Sequence, residues 1–192
     1  MKIFLIRHGE STSDVEERYS GHYDDHLSKK GIRQVEKLSK SLAGSDIQII
    51  FSSPFHRTRE TSAIISKSLK CPVKVVEEIK ERDRYAHLTG MKKSTAAKKH
   101  PEHVAKLKDH TYGVKGGEEY DIFKERVMKI FNKLATEPHG VIAIVAHGGP
   151  IGCILRELGH GEFKIGKCAC FEIEKKGFKL LNVKNAEHLK SK

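Results

Sequence analysis

Short apolar runs alternate with amphipathic stretches along this chain, and the alternation predicts its fold. Residues 2–6 and 141–146 are almost entirely apolar, which is typical of strands buried on both faces of a parallel sheet. Shorter runs predict further strands at 47–51 and 73–76. The predicted strands are separated by segments with helical spacing of their apolar residues, so the chain predicts mixed α/β structure.

Helical spacing predicts four main helices, at about 28–42, 57–69, 118–134 and 150–158. Ser28 is a predicted N-cap, and Gly44 can end the first helix in the left-handed conformation. The apolar positions expected to face the core are Ile32, Val35, Leu38, Leu42, Ile64, Ile65, Leu69, Phe123, Val127, Ile130 and Leu134. Two further strands, 169–174 and 179–183, predict a terminal hairpin about Lys175-Lys176-Gly177. The expected fold class is a three-layer α/β/α sandwich with a mostly parallel central sheet.

Residues 82–117 depart from this pattern. The segment is rich in lysine, histidine and glycine, and only 95–109 has helical character, interrupted by Pro101. We interpret it as an insertion over the strand ends, a lid or substrate loop. The length of 192 residues predicts one domain, spanning 1–192 and including this insertion.

Two of the predicted strands run directly into a His-Gly pair. The first continues into Arg7-His8-Gly9-Glu10 and the second into His147-Gly148-Gly149. In open α/β sheets, ligands bind just outside the carboxyl ends of the strands. Two histidines and an arginine at that edge favour a site for a phosphoryl group.

The motifs that follow these strands resemble those of a known family. The sequence from Arg7 to Ser11, RHGES, is similar to the signature of the histidine phosphatase superfamily, the phosphoglycerate mutase-like enzymes. Further motifs match in the family's order and span almost the whole chain: residues 52–61, Glu81-Arg82-Asp83, Gly116-Gly117-Glu118 and Ala146-His147-Gly148-Gly149. The resemblance implies the phosphoglycerate mutase-like fold and phosphoryl transfer through a phosphohistidine.

The resemblance and the chemistry together assign catalytic roles. His8 is the expected nucleophile, and neutral imidazole can carry the phosphoryl group transiently. Arg7 and Arg57 are expected to clamp the phosphoryl oxygens with guanidinium donors, and His147 to stabilise the same oxygens in the transition state. Glu81 is the predicted general acid, which protonates the leaving oxygen and then activates water.

Other residues of these motifs are weaker candidates for the same roles or are expected to lie outside the site. Asp83 is the fallback general acid and Glu78 a weaker one, because the segment after Glu81 is one residue longer than the family's spacing. Gly148 and Gly149 would let backbone amides approach the anion. Arg59 is predicted to lie at the surface.

The resemblance also implies residues that bind substrate. Glu10 and Ser11 continue the first motif, and Ser20 and Gly21 match a small-residue and glycine pair in the substrate loop. Asp14 stands where family members usually have Asn, and a carboxylate there would repel phosphate unless it is protonated or turned away. Lys93 resembles a lysine that holds the substrate carboxylate in mutases.

Three functions remain open from the sequence. The insertion contains no Arg-Arg pair and the C-terminal tail is short, which favours a phosphomonoesterase acting on small phosphorylated metabolites. Lys93 and the Glu81-Arg82 pair keep a phosphoglycerate mutase dependent on 2,3-bisphosphoglycerate as the alternative. A non-catalytic phosphate-binding relative is the third hypothesis, although binding alone needs no nucleophile. No metal or other cofactor is expected, since arginines and histidines can neutralise the phosphate.

Composition narrows the classes of partner that we expect for this chain. The net charge of +11 comes from dispersed lysines, including the tail Lys190–Lys192, and the chain has no tryptophan; we therefore expect no nucleic acid partner. No apolar run approaches the roughly 20 residues of a membrane span, so we expect no membrane partner and a cytoplasmic protein. Its four scattered cysteines predict buried thiols, with zinc binding by Cys168 and Cys170 as a weaker alternative. The sequence leaves the oligomeric state open, a homodimer included.

Overall fold

A six-stranded sheet runs through the molecule, which a computed structural model describes over residues 1–189. Its strands are β1 (Lys2–Arg7), β2 (Ile49–Ser52), β3 (Val73–Val75), β4 (Val141–Ala146), β5 (Glu162–Glu174) and β6 (Lys179–Leu189). Their order in the sheet is β3-β2-β4-β1-β5-β6. The first four strands pair in parallel, and β5 is antiparallel to both of its neighbours. The basic tail at 190–192 lies outside the described residues.

Helices cover both faces of this sheet. They are α1 (Thr12–Val15), α2 (Lys29–Ser41), α3 (His56–Leu69), α4 (Lys93–Lys99), α5 (Pro101–Lys106), α6 (Tyr120–Leu134) and α7 (Gly148–Glu157). Apolar side chains of α2 and α3 pack on one face, and those of α6 and α7 pack on the other. The predicted α/β/α sandwich with a mostly parallel sheet is therefore confirmed.

The central strands are apolar on both faces because each face is covered by helices. In β1, Ile3 and Leu5 pack toward α6 and α7, whereas Phe4 and Ile6 pack toward α2 and α3. All four side chains are buried. This two-sided burial fixes the strand in the middle of the sheet, so that its last residues emerge at the edge where the other parallel strands also end.

Most helix positions expected in the core are buried, and the expected N-cap of α2 forms, since Ser28 Oγ accepts a hydrogen bond from the Gly31 backbone N–H at 2.9 Å. The C-cap of α2 is Leu42 in the right-handed region, and Gly44, with φ of +77°, lies two residues beyond it. Ile32 was assigned to the core wrongly, since it is 40% exposed. It shares the helical period with Val35 and Leu38, but it lies in the first turn of α2 and is not covered by other residues.

Several predicted boundaries were wrong, most of all in the terminal hairpin. The inner ends at Glu174 and Lys179 are as predicted, but β5 already starts at Glu162 rather than at 169, and β6 continues to Leu189 rather than ending at 183. Backbone pairing between β5 and β6 at the edge of the sheet extends both strands beyond the predicted runs. The turn between them contains Gly177, with φ of +72°, close to the predicted position.

The cysteines agree with the expectation from composition. All four cysteines are buried as thiols without a disulfide, and Cys168 and Cys170 pack into the core beside α2. No helix within residues 1–189 combines the length and the apolar character that a membrane span needs.

The insertion folds over the site edge as short helices around a small core of its own. Leu88, Ala96 and Val114 form that core, and Pro101 begins α5 directly after α4. Arg82 ties the insertion together, because it is only 3% exposed and donates to the carbonyls of His110, Thr111 and Glu118, each at 2.9 Å.

Replacing Arg82 tests this anchor. We expect Arg82→Met to lower the free energy of unfolding by about 2–3 kcal/mol, because several charge-assisted hydrogen bonds are lost and the buried guanidinium no longer joins the ends of the insertion. Urea unfolding and limited proteolysis between residues 107 and 117 measure the effect. The exposed Arg59→Met is the matched control, with an expected change within about 0.5 kcal/mol. Equal stability of the two variants would contradict the anchor.

Candidate active site

Three neighbouring parallel strands, β1, β4 and β2, deliver polar residues to one edge of the sheet. The register pairs Arg7 with Ala146, and the His8 backbone N–H donates to the Ala146 carbonyl at 3.2 Å. On the other side of β4, the Ser53 N–H donates to the Val145 carbonyl at 3.0 Å. The residues that directly follow these strands are thus held side by side.

His8 is buried and has a defined tautomer. His8 is only 5% exposed, and its Nδ1 lies 2.7 Å from the Gly9 carbonyl oxygen. Because a carbonyl can only accept, Nδ1 carries the proton and Nε2 holds a lone pair. Burial, followed by the positive charges of Arg7, Arg57 and Lys167, lowers the His8 pKa well below 6.5. The imidazole is therefore neutral near physiological pH, as a nucleophile must be.

Two arginines flank His8, of which Arg57 is buried and Arg7 half-buried. Arg7 Nη1 donates to the Ile165 carbonyl. Arg57 Nη1 donates to Asp25 Oδ1 at 2.8 Å, and its Nη2 donates to the Gly21 carbonyl at 3.0 Å. The Nε of each arginine is buried without a hydrogen-bond partner among residues 1–189. Such unpaired donors are costly unless something accepts from them, so this pair fits an anionic ligand.

His147 lies against His8, with 5.2 Å between the ring centroids. Its Nε2 is 2.7 Å from Ser53 Oγ, while its Nδ1 is buried with no partner in the described part of the chain. Burial lowers the His147 pKa well below 6.5, and the charge of Arg57 adds to the effect. When the Ser53 hydroxyl donates to Nε2, His147 presents a neutral Nδ1–H, a third unpaired donor beside His8.

The carboxylate of Glu81 is held at the start of α7. Its Oε1 accepts from the Arg82 N–H at 2.9 Å, and its Oε2 accepts from the Gly149 N–H at 3.2 Å. The two other acid candidates lie elsewhere: Asp83 is 4.0 Å from His22 Nδ1, and Glu78 lines a surface groove beside α6. Of the three, Glu81 is the carboxylate that faces His8 across a cavity.

That cavity has a volume of about 160 Å³. It is lined by Arg7, His8, Asp14, Arg18, Tyr19, Ser20, Gly21, Arg57, Glu81, Tyr85 and Lys93. Most of the residues assigned to catalysis or substrate binding are therefore brought together around one polar space. The insertion contributes Tyr85 and Lys93 to its wall.

Four assigned residues do not line the cavity. His147 packs edge-on against the His8 ring, and Gly148 is packed beside the Arg7 guanidinium. Glu10 turns away toward the start of α2, where its carboxylate accepts from Ser28 Oγ at 2.8 Å. Ser11 precedes α1, and its Oγ donates to Asp14 Oδ2 at 2.9 Å. The last two residues share the first motif but support the loop rather than face the ligand space.

The structure also places residues at the site that the sequence analysis missed. Tyr19 and Tyr85 pack together, with ring centroids 4.8 Å apart, and Arg18 donates to the Gly90 carbonyl at 2.7 Å. Lys167 forms an ion pair with Asp14. The unusual Asp14 was a signal that a cation should lie nearby, but nothing in the sequence indicated which of the many lysines it would be.

Comparison with known proteins shows the family. A sequence model of the histidine phosphatase superfamily (branch 1) matches residues 3–186, and the chain belongs to this superfamily. The resemblance drawn from the motifs is thereby confirmed, as is the expected class of enzyme, the phosphatases and phosphoglycerate mutase-like enzymes.

Individual relatives agree with this assignment. The chain is 27% identical to the uncharacterized phosphatase PhoE of Bacillus subtilis, over 83% of this chain and 78% of that protein. It is 28% identical to a metal-independent phosphoserine phosphatase of Arabidopsis thaliana, over 80% of this chain and 66% of that protein. The crystal structure of the alpha-ribazole phosphatase from Shigella flexneri has the same fold, with a TM-score of 0.83, 22% identity and 100% of each chain covered.

The close approach of Gly149 to Glu81 gives a test of the carboxylate's position. A Cβ at Gly149 would lie 2.1 Å from Glu81 Oε1, so Gly149→Ala must displace the carboxylate. We expect kcat for a phosphate ester to fall by about 10²-fold, the loss typical of a misplaced general acid. Steady-state kinetics measure it. Gly140→Ala, whose Cβ would meet the Gln48 side chain at 3.6 Å, is the control, and unchanged kcat in Gly149→Ala would contradict the role of Glu81.

The lowered pKa values of His8 and His147 predict that stability depends on pH. In the unfolded chain both titrate near 6.5, so below that pH the unfolded state binds protons that the folded state does not. Stability is therefore fully present above pH 6.5 and is lost as the pH falls. His8→Asn should make the slope below pH 6.5 shallower by up to about 1.4 kcal/mol per pH unit. Urea unfolding between pH 5 and 7.5 measures this, with the exposed His87→Asn as control; identical slopes for His8→Asn and the unaltered protein would refute it.

Proposed function

We propose that this protein is a phosphomonoesterase that works through a phosphohistidine at His8 and acts on small phosphorylated metabolites. The observation that carries the proposal is the neutral Nε2 of His8 among buried donors without partners. Three buried polar atoms have no hydrogen-bond partner within residues 1–189: Arg7 Nε, Arg57 Nε and His147 Nδ1. A phosphoryl group offers three equatorial oxygens that can accept hydrogen bonds from such donors.

In the first step, His8 Nε2 attacks phosphorus and the bond to the ester oxygen breaks. Arg7, Arg57 and His147 neutralise the charge that develops on the phosphoryl oxygens. Glu81, acting as the general acid, gives its proton to the leaving oxygen, which departs as an alcohol. The Nδ1–H of His8 keeps its hydrogen bond to the Gly9 carbonyl, which orients the ring during attack.

In the second step, water attacks the phosphohistidine and the P–N bond breaks. Glu81, now ionised, takes a proton from the water, and inorganic phosphate leaves with His8 neutral again. These groups account for the whole cycle without a metal ion or other cofactor, and we propose that none is required. Buried cysteines without disulfides fit a protein that works in the cytoplasm.

The dimensions of the cavity support a small substrate. Its volume of about 160 Å³ suits a phosphoryl group with a short organic portion and is smaller than typical pockets for drug-sized ligands. Arg18 and Lys93 on its wall would favour an anionic or strongly polar organic portion.

Lys93 also supports one alternative, a phosphoglycerate mutase that uses 2,3-bisphosphoglycerate. Its position in the wall of the cavity is where a cation could hold the carboxylate of a phosphoglycerate. A mutase would return the phosphoryl group to a second hydroxyl rather than to water and would have to exclude water from the phosphoenzyme.

Phosphorus NMR of one reaction separates these functions. We expect the protein, with 3-phosphoglycerate or an aryl phosphate and excess chelator, to release inorganic phosphate and to carry acid-labile phosphate on His8 after a quench. His8→Ala should lose on the order of 10⁴-fold or more in kcat, because the nucleophile is gone.

Three other outcomes would each contradict a part of this proposal. Rapid formation of 2-phosphoglycerate with a trace of 2,3-bisphosphoglycerate, without matching free phosphate, would establish the mutase. Collapse of turnover in chelator would overturn the metal-free mechanism. Phosphate binding that persists in His8→Ala, together with an unaltered protein that turns over no ester, would identify a non-catalytic binding protein.

A further inference from the structure

A bulge in β5 brings a lysine to the back of the catalytic cavity. The pairing of β5 with β6 shifts register between Ile165 and Cys170, and Cys168 has φ of +53°. Such bulges re-aim the side chains of a strand. Here the bulge turns the Ile165 carbonyl to Arg7 and the Lys167 ammonium group to Asp14.

Lys167 pairs with Asp14. Asp14 and Glu81 are the two acidic residues that line the catalytic cavity. Asp14 Oδ2 also accepts from the Ser11 N–H at 3.0 Å and from Ser11 Oγ at 2.9 Å. Burial acts to raise the Asp14 pKa, but the charge of Lys167 and the Ser11 hydrogen bonds outweigh it, and the pKa is lowered. Asp14 therefore stays ionised, next to the space that a phosphoryl dianion would occupy.

Lys167 approaches Asp14 from behind rather than from the cavity. It does not line the space around His8; instead it lines a neighbouring groove with Lys37 and Lys184. The side chains of Lys167 and Asp14 are 23% and 27% exposed, so their interaction is only partly screened by water. Within residues 1–189, the one salt bridge of Lys167 is with Asp14, and the lysine does not itself line the space around His8.

The charges that surround Lys167 come from every element packed against it. Arg7 and His8 face it from the end of β1, Arg57 from α3 and Asp14 from α1, while Lys37 of α2 and Lys184 of β6 share its groove. Burial lowers the pKa of Lys167 to about 8, and the positive charge of Arg7 contributes in the same direction. The lysine is charged at neutral pH and loses its proton in mildly alkaline solution.

We propose that Lys167 is a positioning residue for phosphate binding, which neutralises Asp14 and holds its carboxylate toward Ser11. With the ion pair in place, the cavity beside His8 keeps the positive charge of Arg7 and Arg57 for the ligand. Without it, an unpaired carboxylate faces the phosphoryl oxygens and repels them. The inference rests on the proposed function, because it concerns the affinity of the same site for a phosphate ester.

The ion pair has a consequence for the pH profile. As the pH rises through about 8, Lys167 is deprotonated and Asp14 is left uncompensated. We expect KM for a phosphomonoester to rise there while kcat changes little, since the reacting atoms are not displaced. Replacing either member of the pair should remove this limb of the profile.

Four variants test the proposal: Lys167→Met, Asp14→Asn, the double variant and the control Lys184→Met, which alters the same groove. We expect Lys167→Met to raise KM for an aryl phosphate and the inhibition constant of inorganic phosphate by about tenfold at pH 7. Its kcat should stay within about threefold of the unaltered protein. In the double variant, KM and the inhibition constant of phosphate should return to within about threefold of the values of the unaltered protein, because no carboxylate remains to be neutralised. Kinetics from pH 6 to 9.5 provide the measurement.

Asp14→Asn on its own keeps the test valid if Lys167→Met does not fold. Because it removes a negative charge from the cavity wall, that variant should bind phosphate at least as tightly as the unaltered protein, and it should lack the rise in KM near pH 8. A limb that persists in Asp14→Asn overturns the proposal, as does unchanged phosphate binding in Lys167→Met. A double variant as weak as Lys167→Met would also overturn it, since Lys167 would then contact phosphate directly. An unaltered protein inert toward phosphate esters would refute the proposed function instead, and calorimetry with inorganic phosphate would still decide the role of Lys167.

Discussion

The parallel pairing of β1 with β4 is the constraint on which the site depends. Arg7 pairs with Ala146 at the last position of both strands, and the next backbone N–H, of His8, binds the Ala146 carbonyl. His8 and His147 thus leave neighbouring strands at the same edge. The alternation of Ile3 and Leu5 with Phe4 and Ile6 between two cores prevents a one-residue slip, which would exchange the faces. Core packing and catalytic geometry are therefore fixed together.

Buried positive charge is the second organising feature. Arg57 is 1% exposed, and removing a guanidinium from water is unfavourable unless its donors are satisfied. Asp25 and the Gly21 carbonyl satisfy part of it, and the Nε has no hydrogen-bond partner within residues 1–189. The same charges lower the pKa of His8, so in the proposed function one arrangement supports both anion binding and a neutral nucleophile. This pattern of desolvation beside fixed cations is characteristic of functional sites.

The limits of prediction are visible in particular residues. Val35 and Leu38 follow the helical period and are buried, whereas Ile32 follows it and is exposed. The period gives the side of the helix on which a residue lies, but not whether other elements cover that part of the helix. Glu10 belongs to the same motif as His8, yet its carboxylate accepts a hydrogen bond from Ser28 at the start of α2. Motif membership gave the neighbourhood of the site, and the backbone direction after the strand decided which side chains face the ligand.

By itself, the sequence determined the sandwich, the two histidines and Arg7 at strand ends, and the family to which the chain belongs. Local patterns can do this because periodicity, strand ends and motif order are properties of contiguous residues. Tertiary structure alone decided that Glu81, rather than Asp83, faces His8 and that Arg82 anchors the insertion. It also decided that Lys167 pairs with Asp14. These contacts join residues far apart in the chain, and a bulge in an edge-proximal strand, which leaves no periodic signal, sets the last of them.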